Sequence, residues 1–189
     1  FPLAELQATQ PRQLLVTLCL WVPLVASLHA ICFPLDMLLF PRLRCVSVRA
    51  PVFIVGHARS GTTLLQRLLS QDADRFSAFL LYELFLPSLL QKKALRALAA
   101  IDARWLGGFL ERRVRAWEAR KFGKTQAVHA MGLTMPEEDD GVFTWSCASG
   151  SWIVRLPYLG ELDVYHVDAR PPRERRRMLR FYHECVRRQ

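Results

Sequence analysis

Apolar and polar positions along the chain fall into blocks of different period. From Gln13 to Leu35 no residue carries a formal charge, and Leu14 to Phe33 is mostly Leu, Val, Ala, Ile, Cys and aromatic. A helical run of about 20 apolar residues matches the hydrocarbon thickness of a bilayer, so a membrane span is one expectation here. A buried or surface pair of helices, broken at Pro23 and Pro34, is the other, because proline interrupts helices and His29 is costly in lipid. A cleaved signal peptide fits less well, since the run is long and no small-residue cleavage site follows before Asp36. Arg42, Arg44 and Arg49 follow the run and only Arg12 precedes it, a bias that by the positive-inside rule puts the following residues in the cytoplasm.

The next block changes character. Val52-Phe53-Ile54-Val55 is short, apolar and rich in β-branched residues, which predicts a strand, and a leucine-periodic helix is expected from Thr62. Phe76 to Tyr82 reads as a second short strand or extended segment. Pro87 opens a helical stretch to about Arg104, with Leu89, Leu90, Leu95, Leu98 and Ile101 mainly on one side, and Gly107-Gly108 ends it. A further helix is expected over Phe109–Phe122, carrying Arg112, Arg113, Arg115 and Arg120 on a solvated face. Pro136 with Glu137, Glu138, Asp139 and Asp140 has the composition of a helix start, and metal binding by these acids is the lesser reading. Pro171 to Arg188 predicts an arginine-rich helix with Met178, Leu179, Tyr182 and Val186 available for packing.

Between the first predicted strand and its helix lies Gly56-His57-Ala58-Arg59-Ser60-Gly61. Two glycines let successive backbone N–H groups converge on one anion, and the helix entrance adds its unsatisfied N–H groups and positive dipole end. Ser60, Thr62 and Thr63 supply hydroxyls, and Arg59 supplies a permanent forked cation. His57 lies within reach of a bound phosphate. The spacing fits the nucleotide pattern GxxxxGK[ST], but Thr62 stands where the lysine belongs, which argues against an ordinary ATPase or GTPase. Gly123-Lys124-Thr125 imitates the end of that pattern, yet Glu118 occupies the first glycine's place and no strand precedes it, so it reads as a decoy.

The stretch VGHARSGTTLL resembles the 5′-phosphosulfate loop of sulfotransferases that use 3′-phosphoadenosine-5′-phosphosulfate (PAPS), whose usual form is VGxPRSGTTLL. Ala58 replaces the usual proline. Tyr82-Glu83 followed by Pro87 is similar to the Trp-Glu and proline segment of the broad bacterial and algal group, and His129 to Asp139 is similar to its H-x-M-G-L-x-x-P-E-E-D segment. The resemblance covers residues 51–189, and divides the chain into a hydrophobic segment, 1–50, and the N-terminal part of a sulfotransferase domain. It implies an α/β, P-loop-like three-layer fold, truncated and helix-rich. It implies sulfuryl transfer from PAPS to a hydroxyl or amine acceptor, with 3′,5′-ADP as product and no metal. Gly56, His57, Arg59, Ser60, Gly61, Thr62 and Thr63 would hold the donor, Arg59 would also assist the transfer, and Glu83 would take the acceptor's proton. His57 and His129 rank behind Glu83 for that role. The family binds the 3′-phosphate with an arginine and a serine beyond a later strand; no such pair is evident after Asp139, so the residues present read as the 5′ half of the site. The arginine cluster from Arg170 to Arg188 is the alternative source of those contacts.

Composition narrows the remaining classes. At 189 residues with 51% hydrophobic and 23% charged, the chain is long enough for a globular core and is not a disordered polymer. It starts at Phe1 and stops in charged helix-like sequence, which predicts a piece of a longer protein. The net charge of +9 favours anionic ligands or membrane surfaces. Basic residues are not interleaved with aromatics, which sets nucleic acid aside as a partner. Cys19, Cys32, Cys45, Cys147 and Cys185 show no zinc-ligand spacing and read as free thiols. A P-loop kinase or NTPase, and a non-catalytic membrane-anchored nucleotide-binding protein, stay open as alternatives. Eukaryotic membrane-anchored sulfotransferases, which the chain partly resembles, commonly face the Golgi lumen, so a single-pass protein with either a cytoplasmic or a lumenal orientation is expected.

Overall fold

The structure is a computed structural model and describes residues 15–57, 60–123, 131–150, 152 and 170–189. Two compact units emerge. One joins the residues up to Val46 with Asp139–Arg188, and the other is built from Ser47–Glu138.

In the first unit the apolar run folds as one continuous helix, Thr17–Leu39, long and apolar enough to cross a bilayer. Its first turn, Thr17–Trp21, is π-helical, and α1 proper is Val22–Leu39. The expectation of a pair broken at the prolines is corrected. Pro23 directly follows the π-helical turn and Pro34 lies inside α1, and neither breaks the run. The helix stops at Phe40, whose φ of −124° leaves helical space just before Pro41. Leu20, Leu24 and Ile31 stay more than half exposed.

One stripe of α1 is different. His29, Cys32 and Asp36 lie on a common face at helical spacing and are buried. Asp36 meets Arg188, just beyond α6, Pro172–Val186. Arg188 Nε donates to Asp36 Oδ2 at 2.8 Å, with both side chains at or below 1% exposure. The same guanidinium lies 4.2 Å above the Phe33 ring and bonds Glu184 Oε2 at 2.7 Å. Phe33 stacks on Phe181, which meets Phe143 of the 3₁₀ helix Asp139–Ser146. Arg187 caps the carbonyls of Leu43 and Val46. Asp139 accepts from Tyr182, whose phenol is pushed upward by burial and then by that carboxylate. Asp140 Oδ2 accepts from Ser149 Oγ and Gly150 N–H, both at 3.0 Å.

The second unit holds α2, Thr62–Leu69; α3, Leu81–Phe85; α4, Leu89–Trp105; and α5, Phe109–Phe122. Ser88 precedes α4 and donates its N–H to Gln91 Oε1 at 3.3 Å, half of a capping box. Gly107 and Gly108 break the chain at φ +57° and +75°, as expected. Asp102 then reaches back to cap α5, its two carboxylate oxygens accepting the N–H groups of Leu110 and Glu111 at 2.9 Å each.

The predicted strands are corrected. Among the described residues no strand forms, and the α/β character expected from the sequence is not seen there; the described chain is helical. Residues 51–57 have no ladder partner, and Val55 is 90% exposed. A strand satisfies its backbone only against a neighbour. Phe76 to Tyr82 yields one antiparallel bridge, Leu80 to Pro136, before the chain turns into α3 at Leu81. Because Pro136 is used in that bridge, the helix expected to start there begins at Asp139 instead. All five cysteines are free, Cys32 and Cys185 buried and the others exposed.

Breaking the buried pair should be costly. Asp36→Ala removes the buried partner of Arg188 Nε, leaves Glu184 as its remaining carboxylate, and is expected to lose about 3 kcal/mol, whereas Asp36→Leu with Arg188→Met together should fall close to wild type. Thermal unfolding of the full chain in mild detergent, run as a double-mutant cycle, measures both. Additive losses would show that the two side chains do not depend on each other.

Candidate functional site

The site is built from three stretches that are far apart in the chain and joined within the second unit. The first is the loop ahead of α2. Gly61 adopts φ +89° and ψ 9° as the N-cap of α2, a left-handed conformation that side chains other than glycine resist. A Cβ on Gly56 would lie 2.5 Å from Ser60 Oγ and 2.9 Å from Thr62 Cγ2, so the loop folds tightly back on its own start. Ser60 N–H closes it with a bond to the His57 carbonyl at 3.1 Å. The first intrahelical bond runs from Leu65 N–H to Gly61 O at 3.0 Å, which places the N–H groups of Thr62, Thr63 and Leu64 ahead of the helical ladder. Thr62 and Thr63 are half-buried, and His57 and Ser60 are exposed. Arg59 lies outside the described residues, as do His129 and the Lys124-Thr125 decoy.

The second stretch is the segment from Met131 to Glu138. It fastens the other two. Gln66 of α2 donates to the Glu137 carbonyl at 2.9 Å, and Thr63 Oγ1 donates to Glu138 Oε1 at 3.5 Å, the outer limit of such a bond. On its other side the segment pairs with the third stretch. Leu81 N–H bonds Met135 O, Tyr82 N–H bonds Leu133 O, and Glu137 N–H bonds Phe79 O, each at 3.0 Å. Glu118 of α5 accepts the Leu133 N–H at 2.6 Å and braces the segment from behind. The Glu138 carboxylate thus faces Thr63, while Glu137 Oε1 accepts the Glu138 N–H at 3.2 Å.

Glu83 is 4% exposed and sits at the centre of the third stretch. Its Oε2 accepts the Leu80 N–H at 3.1 Å, which caps α3. Its Oε1 meets Lys92 Nζ at 3.4 Å, Arg96 at 3.8 Å and the Tyr82 hydroxyl at 3.2 Å. Lys92 is itself buried, while Arg96 is open to solvent. Burial raises the Tyr82 phenol, so it stays protonated and donates to the carboxylate. Sequence reasoning singled out Glu83 but missed Lys92 and Arg96. Their spacing of four on one helix was the available signal, since it puts both cations on the face of α4 that returns to Glu83.

A glycine-built loop opening a helix, with a buried carboxylate held between cations on the segments bonded to it, can bind an anion and handle a proton, the equipment of a group-transfer enzyme. A profile of the sulfotransferase family matches residues 51–158, more than half of the chain, and makes the protein a transferase. The chain belongs to the sulfotransferase family. The matched residues contain all three stretches. No curated protein and no solved structure matches the chain.

Gly56 has the clearest structural consequence. Gly56→Ala would press a methyl group on Ser60 Oγ and Thr62 Cγ2 and strain the loop, so binding of inorganic sulfate or phosphate there should weaken by roughly tenfold while far-UV circular dichroism stays unchanged. Calorimetry on the full chain reads the loss. Wild-type affinity in the variant would mean that the loop does not hold the ligand.

Proposed function

We propose that the protein moves a sulfuryl group from PAPS to a hydroxyl or amine acceptor. The observation that carries this reading is the hydrogen-bonded convergence of the Gly56–Thr63 loop, the Glu83 segment and the Met131–Glu138 segment. PAPS is a co-substrate consumed in each turn. The backbone N–H groups from Gly56 to Gly61, with His57, Arg59, Ser60, Thr62 and Thr63, would receive its 5′-phosphosulfate. A loop that ends in a left-handed glycine before a helix fits a single compact oxyanion, and Thr62 in place of lysine suits a donor without a γ-phosphate.

The acceptor oxygen or nitrogen attacks sulfur in line, forming the new bond as the bond from sulfur to the bridging phosphate oxygen breaks. Charge gathers on the departing 5′-phosphate, where Arg59 and the α2 entrance oppose it. The acceptor's proton goes to Glu83. Lys92 Nζ and the Arg96 guanidinium stand 3.4 and 3.8 Å from Oε1 and hold that oxygen in place. Most of the acceleration would come from position and electrostatics, as in phosphoryl transfer. Burial of Glu83 and its capping bond support a second reading, in which it only positions α3 and α4 and another group takes the proton.

Two substitutions separate these roles. Arg59→Ala should weaken PAPS binding by about 1.5–3 kcal/mol, the worth of a charged hydrogen bond. Glu83→Gln should keep PAPS affinity and lose turnover by roughly 10²–10⁴-fold. If Glu83→Gln instead loses melting temperature and affinity together, with residual activity tracking the folded fraction, the residue is structural. Parallel titration with ATP and Mg²⁺ tests the kinase alternative, which predicts tighter binding of ATP than of 3′,5′-ADP.

The Thr17–Leu39 helix is proposed to hold the protein on a membrane as a single span. At 23 residues it is about 35 Å long, enough for the hydrocarbon core. Its buried Asp36 is paired rather than exposed to lipid. Resistance to alkaline carbonate extraction is the expected result for the full chain, and release into the soluble fraction would return the helix to an ordinary packing role.

A further inference from the structure

Gln189 groups with the second unit, and its side chain lies against Glu83 and Lys92. Oriented so that donors meet acceptors, its amide nitrogen donates to Glu83 Oε2 at 3.0 Å and its amide oxygen accepts from Lys92 Nζ at 2.8 Å. Glu83 is thereby fully engaged. A carboxylate offers about four lone-pair positions. The Leu80 N–H and the Gln189 amide meet Oε2, while the Tyr82 hydroxyl and Lys92 Nζ face Oε1 at 3.2 and 3.4 Å.

A base receives a proton only through an oxygen that the proton's owner can reach, so one of these partners has to leave before Glu83 can act. They differ in how readily they can. The Leu80 N–H is backbone and belongs to the cap of α3, and the Lys92 side chain is 3% exposed. Gln189 is exposed and uncharged, so its amide can swing out and exchange these bonds for bonds to water at little cost. What it vacates is a seat with a proton acceptor, Glu83 Oε2, beside a proton donor, Lys92 Nζ.

The chemistry of that seat is selective. An attacking group uses one lone pair to form the bond to sulfur. A hydroxyl oxygen keeps a second lone pair for Lys92 Nζ and has a proton to give Glu83 Oε2. An amine nitrogen has a single lone pair and cannot do both, and its ammonium form has none and meets Lys92 and Arg96 as like charges.

We propose that the Gln189 amide is a stopper in the acceptor's seat, and that it is displaced by a neutral hydroxyl that donates to Glu83 Oε2 and accepts from Lys92 Nζ. This rests on the reading of Glu83 as the base. The hydroxyl oxygen bonds to sulfur as the bond from sulfur to the bridging phosphate oxygen breaks; its proton passes to Glu83, and the electron pair leaves on 3′,5′-ADP. While the stopper is seated no acceptor can enter, so it lowers the apparent affinity for acceptor by the fraction of seats that are open.

The test gives the full chain PAPS with methanol or methylamine as probe acceptor, and reads methyl sulfate or methylsulfamate by mass spectrometry. Gln189→Ala should steepen the dependence of methyl sulfate formation on methanol by roughly tenfold, with PAPS affinity by calorimetry unchanged. Gln189→Met, which keeps the length and loses the amide, should act in the same direction. Methylamine should give no sulfamate in any of these proteins, and adding Glu83→Gln to Gln189→Ala should remove the gain. A second readout needs no donor: reductive methylation of Lys92 by formaldehyde and cyanoborohydride should run about tenfold faster in Gln189→Ala than in wild type.

An unchanged or smaller methanol dependence in Gln189→Ala, sulfamate formed as readily as methyl sulfate, or equal methylation of Lys92 in both proteins would overturn the proposal. Loss of rate and melting temperature together in Gln189→Ala would do the same, by making the residue a brace. Faster Lys92 methylation combined with a gain that survives Glu83→Gln keeps the stopper and removes Glu83 as the base. Faster methylation in a chain that binds no PAPS keeps the stopper and removes the sulfuryl-transfer reading.

Discussion

The second unit depends on one constraint, that the backbone of Leu133 to Glu137 must find partners. It lies in no helix, and a chain of buried or half-buried peptide groups without hydrogen bonds is expensive. Its solution is to bond outward in two directions, to Phe79, Leu81 and Tyr82 on one side and to the Gln66 side chain of α2 on the other. Each bond taken singly contributes little. Together they determine where the glycine loop ahead of α2 stands relative to Glu83. Glu118 matters for the same reason, since it satisfies Leu133 from a helix otherwise given over to solvated arginines.

The first unit is governed by a different economy. An aspartate inside an apolar helix is tolerable only because Arg188 reaches it, and Arg188 is tolerable in turn because Asp36, Glu184 and the face of Phe33 surround it. Such a cluster contributes specificity as much as strength, because an apolar helix would slide or rotate on an apolar partner at little cost. Asp36 gives α1 a single seat. The exposed apolar side and the protein-facing side of the same helix are thereby kept distinct.

Much of this was legible before any coordinates. Helix boundaries at Phe109–Phe122, the break at Gly107-Gly108 and the arginine-rich helix near Pro172 follow from periodicity and from glycine and proline punctuation, which act locally. The turn at Gly61 and the helix start at Thr62 were legible for the same reason, since glycine spacing and the helix start are properties of adjacent residues. The strands were not, because β-branched composition at Val52–Val55 reports only that a segment would suit a sheet, and a sheet is a property of neighbours. Pro136 was read as a helix start from its own chemistry, while a long-range bridge to Leu80 decided its use. The buried Glu83–Lys92 pair was likewise hidden, as nothing local distinguishes a lysine that will be buried from one that will be solvated.

The cap that Asp102 places on α5 bears on the order in which the molecule assembles. Its two bonds span only eight and nine residues, whereas Leu80 must find Pro136 across a loop several times longer. Loop closure over the shorter distance loses less chain entropy, and local contacts form sooner. The α4–α5 hairpin is therefore expected to be folded while the glycine loop and its fastening segment are still searching, and early protection of the Leu110 and Glu111 amides in pulse-labelled hydrogen exchange would reveal it. On that account the arginine-coated hairpin is a nucleus, and the transferase site is among the last parts of the chain to take shape.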